Sequence, residues 1–123
     1  MNDRPDRLQR RALLLTAPNP DARLDSVVTL GGRVAEGASI RLRYVPDRLV
    51  LDATAFGRYL NAVPAVASLE ALAAAILADV NDQAVPRWVE VAATASHEDH
   101  AVLISDRQPK WDNPALLARL DRH

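Results

Sequence analysis

The feature that most constrains the fold of this chain is a helix-length segment that follows Ser68. Its apolar residues recur at intervals of three and four, which is the spacing of one face of an α-helix. Ser68 is suited to cap this helix, because its hydroxyl can accept a hydrogen bond from an unpaired backbone N–H. So wide an apolar face requires a sheet to cover it. The apolar face of the helix consists of Leu69, Leu72, Ala73, Ile76, Leu77 and Val80.

Segments with the two-residue alternation of β-strands lie on both sides of this helix. The four candidate strands lie within residues 25–34, 38–51, 88–95 and 101–105. Another helix is predicted between Asp52, a candidate N-cap, and Pro64, which would end it. The order strand, strand, helix, helix, strand, strand indicates an α+β fold, in which an antiparallel four-stranded sheet carries two helices on one face.

The length of 123 residues suits a single domain. Residues 1–12 begin with charges of alternating sign and no apolar period, which predicts a solvated N-terminal arm. We expect the domain itself to span residues 13–106. Residues 107–123 are predicted to form a C-terminal tail, in which Asn113-Pro114 is a typical start for a short helix.

Composition excludes several classes of function. Basic and acidic residues number 15 and 16, and the resulting net charge of −1 lacks the positive surface typical of nucleic-acid binders and polybasic membrane anchors. The chain has no cysteine, which excludes disulfides, thiolate-bound zinc, iron–sulfur clusters and cysteine nucleophiles. The apolar run at residues 12–15 is too short for the core of a signal peptide. We therefore expect a cytoplasmic protein without a nucleic-acid or membrane partner.

Four short segments of the chain resemble, in their order and approximate spacing, segments of one enzyme family. They are Ala17-Pro18-Asn19-Pro20, Ile40 to Leu49, Tyr59-Leu60-Asn61 and Pro86-Arg87-Trp88-Val89. In these segments the chain resembles the NADPH-dependent nitrile reductases of queuosine biosynthesis, which reduce a cyano-deazaguanine. That family belongs to the tunnelling-fold (T-fold) group, together with GTP cyclohydrolase I and pyruvoyl-tetrahydropterin synthase. The resemblance implies subunits that associate into barrels and bind purine or pterin rings at their interfaces.

Most of the functional residues of that family are missing from this chain. The family's nucleophile is a cysteine between the first two strands, and the corresponding segment here, Leu30 to Glu36, contains none. Because a thiolate must attack the nitrile carbon to form the thioimide, nitrile reduction by that route is excluded. The family's two lysines are also absent from the segment that corresponds to Asp52–Gly57. Their loss argues against NADPH, and we assign no cofactor.

Three acidic residues remain as candidates for binding a ring. The resemblance aligns Glu70 with a glutamate that grips the substrate's edge, where one carboxylate can accept from a ring N–H and a neighbouring amino group. Glu36 would correspond to the family's proton-donating aspartate, and Asp52 keeps an acidic character found in the family. Each also has a structural interpretation: an acid favoured by the helix dipole for Glu70, a solvated turn residue for Glu36, and a helix cap for Asp52.

Two further groups of polar residues have chemical potential. His97-Glu98-Asp99-His100 contains metal-binding residue types, but consecutive residues of a hairpin turn converge poorly on one ion. We therefore predict a solvated turn and no metal site. Arg41 and Arg43 lie on one face of a predicted strand, where they would meet either a phosphate or acidic side chains.

These observations predict a divergent tunnelling-fold protein that binds a purine-like or pterin-like heterocycle at a subunit interface of a homo-oligomer. Acid–base chemistry by Glu70 and Glu36 needs no cysteine, so the sequence leaves open whether the ligand is transformed. The alternative is a non-catalytic structural or partner subunit of a tunnelling-fold oligomer, which would pair through its open sheet edges. The two hypotheses differ in whether Glu70, in the assembled oligomer, faces an enclosed interface pocket or bulk water.

Overall fold

A computed structural model of the chain describes residues 7–64, 66–97 and 99–120, in which four helices and six strands form an α+β fold. The helices are α1 (Arg7–Ala12), α2 (Ala53–Ala62), α3 (Leu69–Ala84) and α4 (Pro114–Ala118). The strands are β1 (Thr16–Pro18), β2 (Val28–Arg33), β3 (Ser39–Val45), β4 (Leu49–Leu51), β5 (Trp88–Thr94) and β6 (Ala101–Arg107). The predicted α+β class and the four-stranded antiparallel sheet are confirmed.

The main sheet has the order β2-β3-β5-β6, and every neighbouring pair is antiparallel. Leu42 on β3 lies opposite Leu30 on β2 and Val91 on β5, so the three side chains share one face. The central strands β3 and β5 are mostly buried, whereas the edge strands β2 and β6 are largely exposed. Within the described residues, each edge strand therefore keeps one side without a strand partner.

A second, two-stranded sheet joins β1 to β4 and was not predicted. It arises because β3 ends at Val45 and the chain turns before β4 begins at Leu49. The Asn19 side chain donates to the Asp47 carbonyl at 2.7 Å, which fastens the segment after β1 to this turn. Three-residue strands carry too little alternation to be recognised in a sequence.

Helices α2 and α3 pack on one face of the main sheet and form the core with it. Both predicted caps are present: Asp52 accepts from the Ala55 N–H at 3.1 Å, and Ser68 accepts from the Ala71 N–H at 3.0 Å. The largest fully buried apolar or aromatic residues of this core are Tyr44, Tyr59, Phe56, Leu14, Leu42, Leu60 and Ile76. Burial of this continuous face is the main stabilising contribution to the fold.

The expectation of a solvated N-terminal arm is wrong for residues 7–12, which form α1 and contact α3. Arg10 is buried because its guanidinium donates to the Asp79 carboxylate of α3, at 2.6 Å from Nε and 3.1 Å from Nη2. Arg11 donates to the same carboxylate at 2.8 Å, and the Tyr59 hydroxyl donates to it at 2.5 Å. Charge alternation in the sequence could not reveal a buried partner on a distant helix. Residues 1–6 lie outside the described part of the chain.

The C-terminal tail contains the predicted short helix, α4, whose N-cap Asn113 accepts from the Leu116 N–H at 3.1 Å. Asp25 anchors the tail, because its carboxylate accepts from the Trp111 indole N–H at 3.1 Å and from the Asn113 amide at 2.9 Å. Arg87 donates to the other Asp25 oxygen at 3.0 Å.

A helix that crosses a membrane must be both long and apolar. Within the described residues, none of the four helices meets both requirements.

Candidate ligand-binding cleft

A cleft of about 320 Å³ lies at the end of the sheet where α3 begins. Three chain segments meet there: the β2–β3 turn, the connection from α2 to α3, and the β5–β6 hairpin loop. Its apolar lining, called the apolar wall below, consists of Val34, Ala38, Val63, Pro64, Val66, Ala67, Leu69, Leu72 and Ala95. Its polar lining residues are Glu36, Ser68, Ser96, His97 and His100. A mostly apolar lining with a few polar groups is typical of small-molecule sites.

The β2–β3 turn places Glu36 on the wall of the cleft. The Val34 N–H donates to the Ala38 carbonyl at 3.0 Å, and the Gly37 N–H donates to the Val34 carbonyl at 2.9 Å. Gly37 has a φ of +102°, which L side chains rarely adopt, so the tight form of this turn depends on glycine. The exposed Glu36 is therefore held at the cleft by a defined turn.

Glu70 lies in the first turn of α3, immediately beside the cleft. Its carboxylate is 3.2 Å from His100 Nε2, and its side chain is 62% exposed. Hydrogen bonds from its own backbone N–H and from His100 lower the pKa of Glu70, so the carboxylate stays ionised at neutral pH. In the single chain, Glu70 thus faces solvent at the rim, and its contact with the cleft runs through His100.

The β5–β6 hairpin brings both of its histidines into the site. The Ala95 N–H donates to the His100 carbonyl at 2.8 Å, which closes the loop, and His97 and His100 both line the cleft. Glu98 lies outside the described residues. Sequence reasoning missed these histidines as possible ligand contacts, although the pattern His-x-x-His was a visible signal. The hairpin folds back towards α3, and that approach depends on the tertiary structure.

Asp52 is not brought together with Glu36 and Glu70. It caps the beginning of α2, whereas the cleft is lined by Val63, the residue at the other end of that helix. The ten residues of α2 separate the two ends by about 15 Å at the usual rise per residue. Within one chain the structure therefore supports the helix-cap interpretation of Asp52.

Arg41 and Arg43 lie on the opposite face of the sheet from α2 and α3. Arg43 pairs with Glu90 on the neighbouring strand, at 2.8 Å from Nε and 2.7 Å from Nη2, and both side chains are buried. The sequence left open whether these arginines meet a phosphate or acidic side chains. Arg43 meets an acidic side chain, Glu90, on the neighbouring strand of the sheet. Neither arginine lines the cleft.

The cleft offers acceptors and adaptable donors around an apolar wall. The Glu36 carboxylate accepts hydrogen bonds only, whereas each imidazole and each serine hydroxyl can both donate and accept. A planar ring could therefore rest against the apolar wall while its N–H edge meets Glu36 and its acceptor atoms meet an imidazole or a hydroxyl. In the described part of the chain, no three histidine, aspartate or glutamate side chains are grouped so that they could hold a metal ion.

Comparisons with protein-family models and with curated proteins find no match to this chain.

Proposed function

We propose that this chain binds a small planar heterocycle, purine-like or pterin-like, in the cleft at the beginning of α3. The observation that carries the proposal is that Glu36, His97 and His100 line one cleft. Three chain segments that are distant in the sequence meet there, and each contributes at least one polar side chain to the lining.

The recognition that we propose has two parts. The ring stacks against the apolar wall, where Val34, Val63 and Leu72 are nearly completely buried already and offer a firm surface. Its ring N–H and exocyclic amino group donate to a carboxylate in a bidentate, charge-assisted pair. Glu36 lines the cleft and is one candidate for this carboxylate. Glu70 is the other, and it binds the ligand by giving up its contact with His100.

The proposed site is completed by a second copy of the chain in a tunnelling-fold homo-oligomer. Two features support this: β2 and β6 keep an edge without a strand partner among the described residues, and Glu70 stands at the exposed rim of an open cleft. A neighbouring subunit that paired with an edge strand would cover this rim. No NADPH-dependent thioimide route is part of the proposal, because the sequence has no cysteine.

The test is titration calorimetry with guanine, 7-cyano-7-deazaguanine and a reduced pterin against the wild type, Glu70→Gln and Glu36→Gln. We expect one saturable ligand class, and loss of a charged hydrogen bond should weaken its binding on the order of tenfold or more in each variant. The matched control is Asp82→Asn, an exposed carboxylate towards the other end of α3, which should bind like the wild type. Absence of binding by a folded wild-type oligomer, or equal binding by all variants, would refute the proposed site.

The second candidate is a non-catalytic structural or partner subunit of a tunnelling-fold oligomer. The Glu70–His100 contact favours it, because a carboxylate already paired within its own chain needs no ligand. Co-expression with an active nitrile reductase homologue and sedimentation analysis of the purified particles would test this function. Mixed particles together with no ring binding would support the partner role, whereas homogeneous particles of this chain alone would exclude pairing with that reductase.

A further inference from the structure

A larger groove, of about 580 Å³, lies on the face of the main sheet opposite to α2 and α3. One side is the sheet, where Arg41, Ala92 and Leu103 form a row across β3, β5 and β6. The other side includes Leu117 on α4 and Leu120 just after it. Leu103 is 62% exposed, so the groove presents apolar surface to solvent.

The charged groups in this groove are unevenly paired. The Glu90 carboxylate is bound by Arg43 at 2.7 and 2.8 Å, and both side chains are only 9% exposed. Arg41 Nη2 lies 4.0 Å from the same carboxylate, which is beyond hydrogen-bonding distance. Among the described lining residues, Arg43 therefore binds Glu90 directly, whereas Nη2 of Arg41 is not hydrogen-bonded to that carboxylate.

The Nε donor of the Arg41 guanidinium is the second notable feature of this groove. Its Nε is buried, and no hydrogen-bond partner for it exists among the described residues. A buried donor without an acceptor is unfavourable, which is why such groups are uncommon in folded proteins. The Arg41 side chain as a whole is 33% exposed, so the guanidinium can turn towards the groove and present Nε and one Nη together.

We infer that this groove binds a small anionic amphiphile, a carboxylate with an aliphatic body, held by Arg41. The carboxylate supplies an acceptor for Arg41 Nε, which has none among the described residues, in the bidentate geometry that guanidinium favours. The aliphatic body lies along Ala92, Leu103 and Leu117 and removes that surface from water. The volume is within the range of small-ligand pockets. This groove and the cleft proposed above share no lining residue, so each proposal can be tested independently of the other.

The test compares three probes of equal chain length, octanoate, octanol and octylammonium, by titration calorimetry below their aggregation concentrations. We expect octanoate to bind most tightly and octylammonium least. Arg41→Met keeps most of the apolar stem and removes the charge, so it should weaken octanoate on the order of tenfold to a hundredfold and leave octanol unchanged. The control is Arg58→Met on the exposed side of α2, which should bind octanoate like the wild type.

A second variant tests the location independently of charge. Ala101 lines the groove on an exposed strand position, and Ala101→Trp should weaken octanoate and octanol alike while the protein remains folded. No octanoate binding by the folded wild type, or octanoate binding that Arg41→Met leaves unchanged, would overturn the inference. Sedimentation measures whether a second copy of the chain fills the groove instead. If the wild type is a dimer, Ala101→Trp dissociates it and no probe binds, then the groove is a dimer interface and the inference is wrong.

Discussion

The carboxylate of Asp79 should be the most sensitive single group for the stability of this fold. It is fully buried on α3 and accepts hydrogen bonds from Arg10, Arg11 and Tyr59. Substitution of Asp79 by asparagine keeps the shape of the side chain but removes its charge. The two arginines, whose side chains are 10% and 13% exposed, then lose their buried counter-ion.

The magnitude follows from the burial of the partners. Removing one member of a buried ion pair costs about 3–5 kcal/mol when the other charge stays buried. Because α1 has only six residues, Arg10 and Arg11 can swing into water, and we therefore expect the lower end of that range, about 3 kcal/mol. In a domain of this size, such a loss lowers the melting temperature by roughly 10–15 °C.

The assay is urea denaturation followed by far-ultraviolet circular dichroism, with Asp82→Asn as the control. Asp82 follows Asp79 on the same helix and also pairs with Arg11, but its side chain is 58% exposed. An exposed pair contributes less than about 1 kcal/mol, so the control should unfold almost like the wild type. Equal free energies of unfolding for the two variants would refute the argument that a buried carboxylate holds α1 against α3.

The same carboxylate predicts a pH dependence. Burial raises the pKa of Asp79, but the hydrogen bonds from Arg10, Tyr59 and Arg11 outweigh it, and the net pKa lies below the ordinary aspartate value. A lowered pKa in the folded state stabilises the protein above the unfolded value of about 4, and this contribution is lost as the pH falls further. The difference in unfolding free energy between wild type and Asp79→Asn should therefore shrink below about pH 4. If this difference in unfolding free energy stayed constant down to pH 2, the Asp79 carboxylate would not be the source of the pH dependence.

Two glycines and one aspartate give further tests. A Cβ at Gly32 would lie 2.8 Å from Cδ1 of the fully buried Leu60, so Gly32→Ala should destabilise the fold by about 1–3 kcal/mol in urea denaturation. Gly57, on α2, has nothing within 4 Å of such a Cβ, so Gly57→Ala should stabilise by about 0.5–1 kcal/mol, and destabilisation there would contradict the open space around it. Asp25→Ala removes the acceptor of the Trp111 indole N–H, so that proton's NMR signal should shift and its exchange with water should accelerate; an unchanged signal would show that the carboxylate does not anchor the tail.

The amino-acid sequence by itself determined the class of fold, because local periodicity reports which side chains face a core. The spacing from Leu69 to Val80 required a helix with one buried face, and the alternation along β3 and β5 required strands to cover it. Ser68 and Asp52 were recognisable as helix caps because a cap interacts with backbone N–H groups only three residues away. The absence of cysteine likewise excluded a thiolate mechanism without any coordinates.

Only the tertiary structure decided which polar groups meet. Arg10 and Asp79 are separated by 69 residues, and Glu70 and His100 by 30, so no local pattern connects them. Charges near the beginning of the chain therefore predicted a solvated arm, although a buried carboxylate fixes α1 to α3. The candidate cleft exists because the hairpin that carries His97 and His100 folds back to the start of α3. Such contacts depend on how the elements pack, and packing is set by the whole core and not by any one segment.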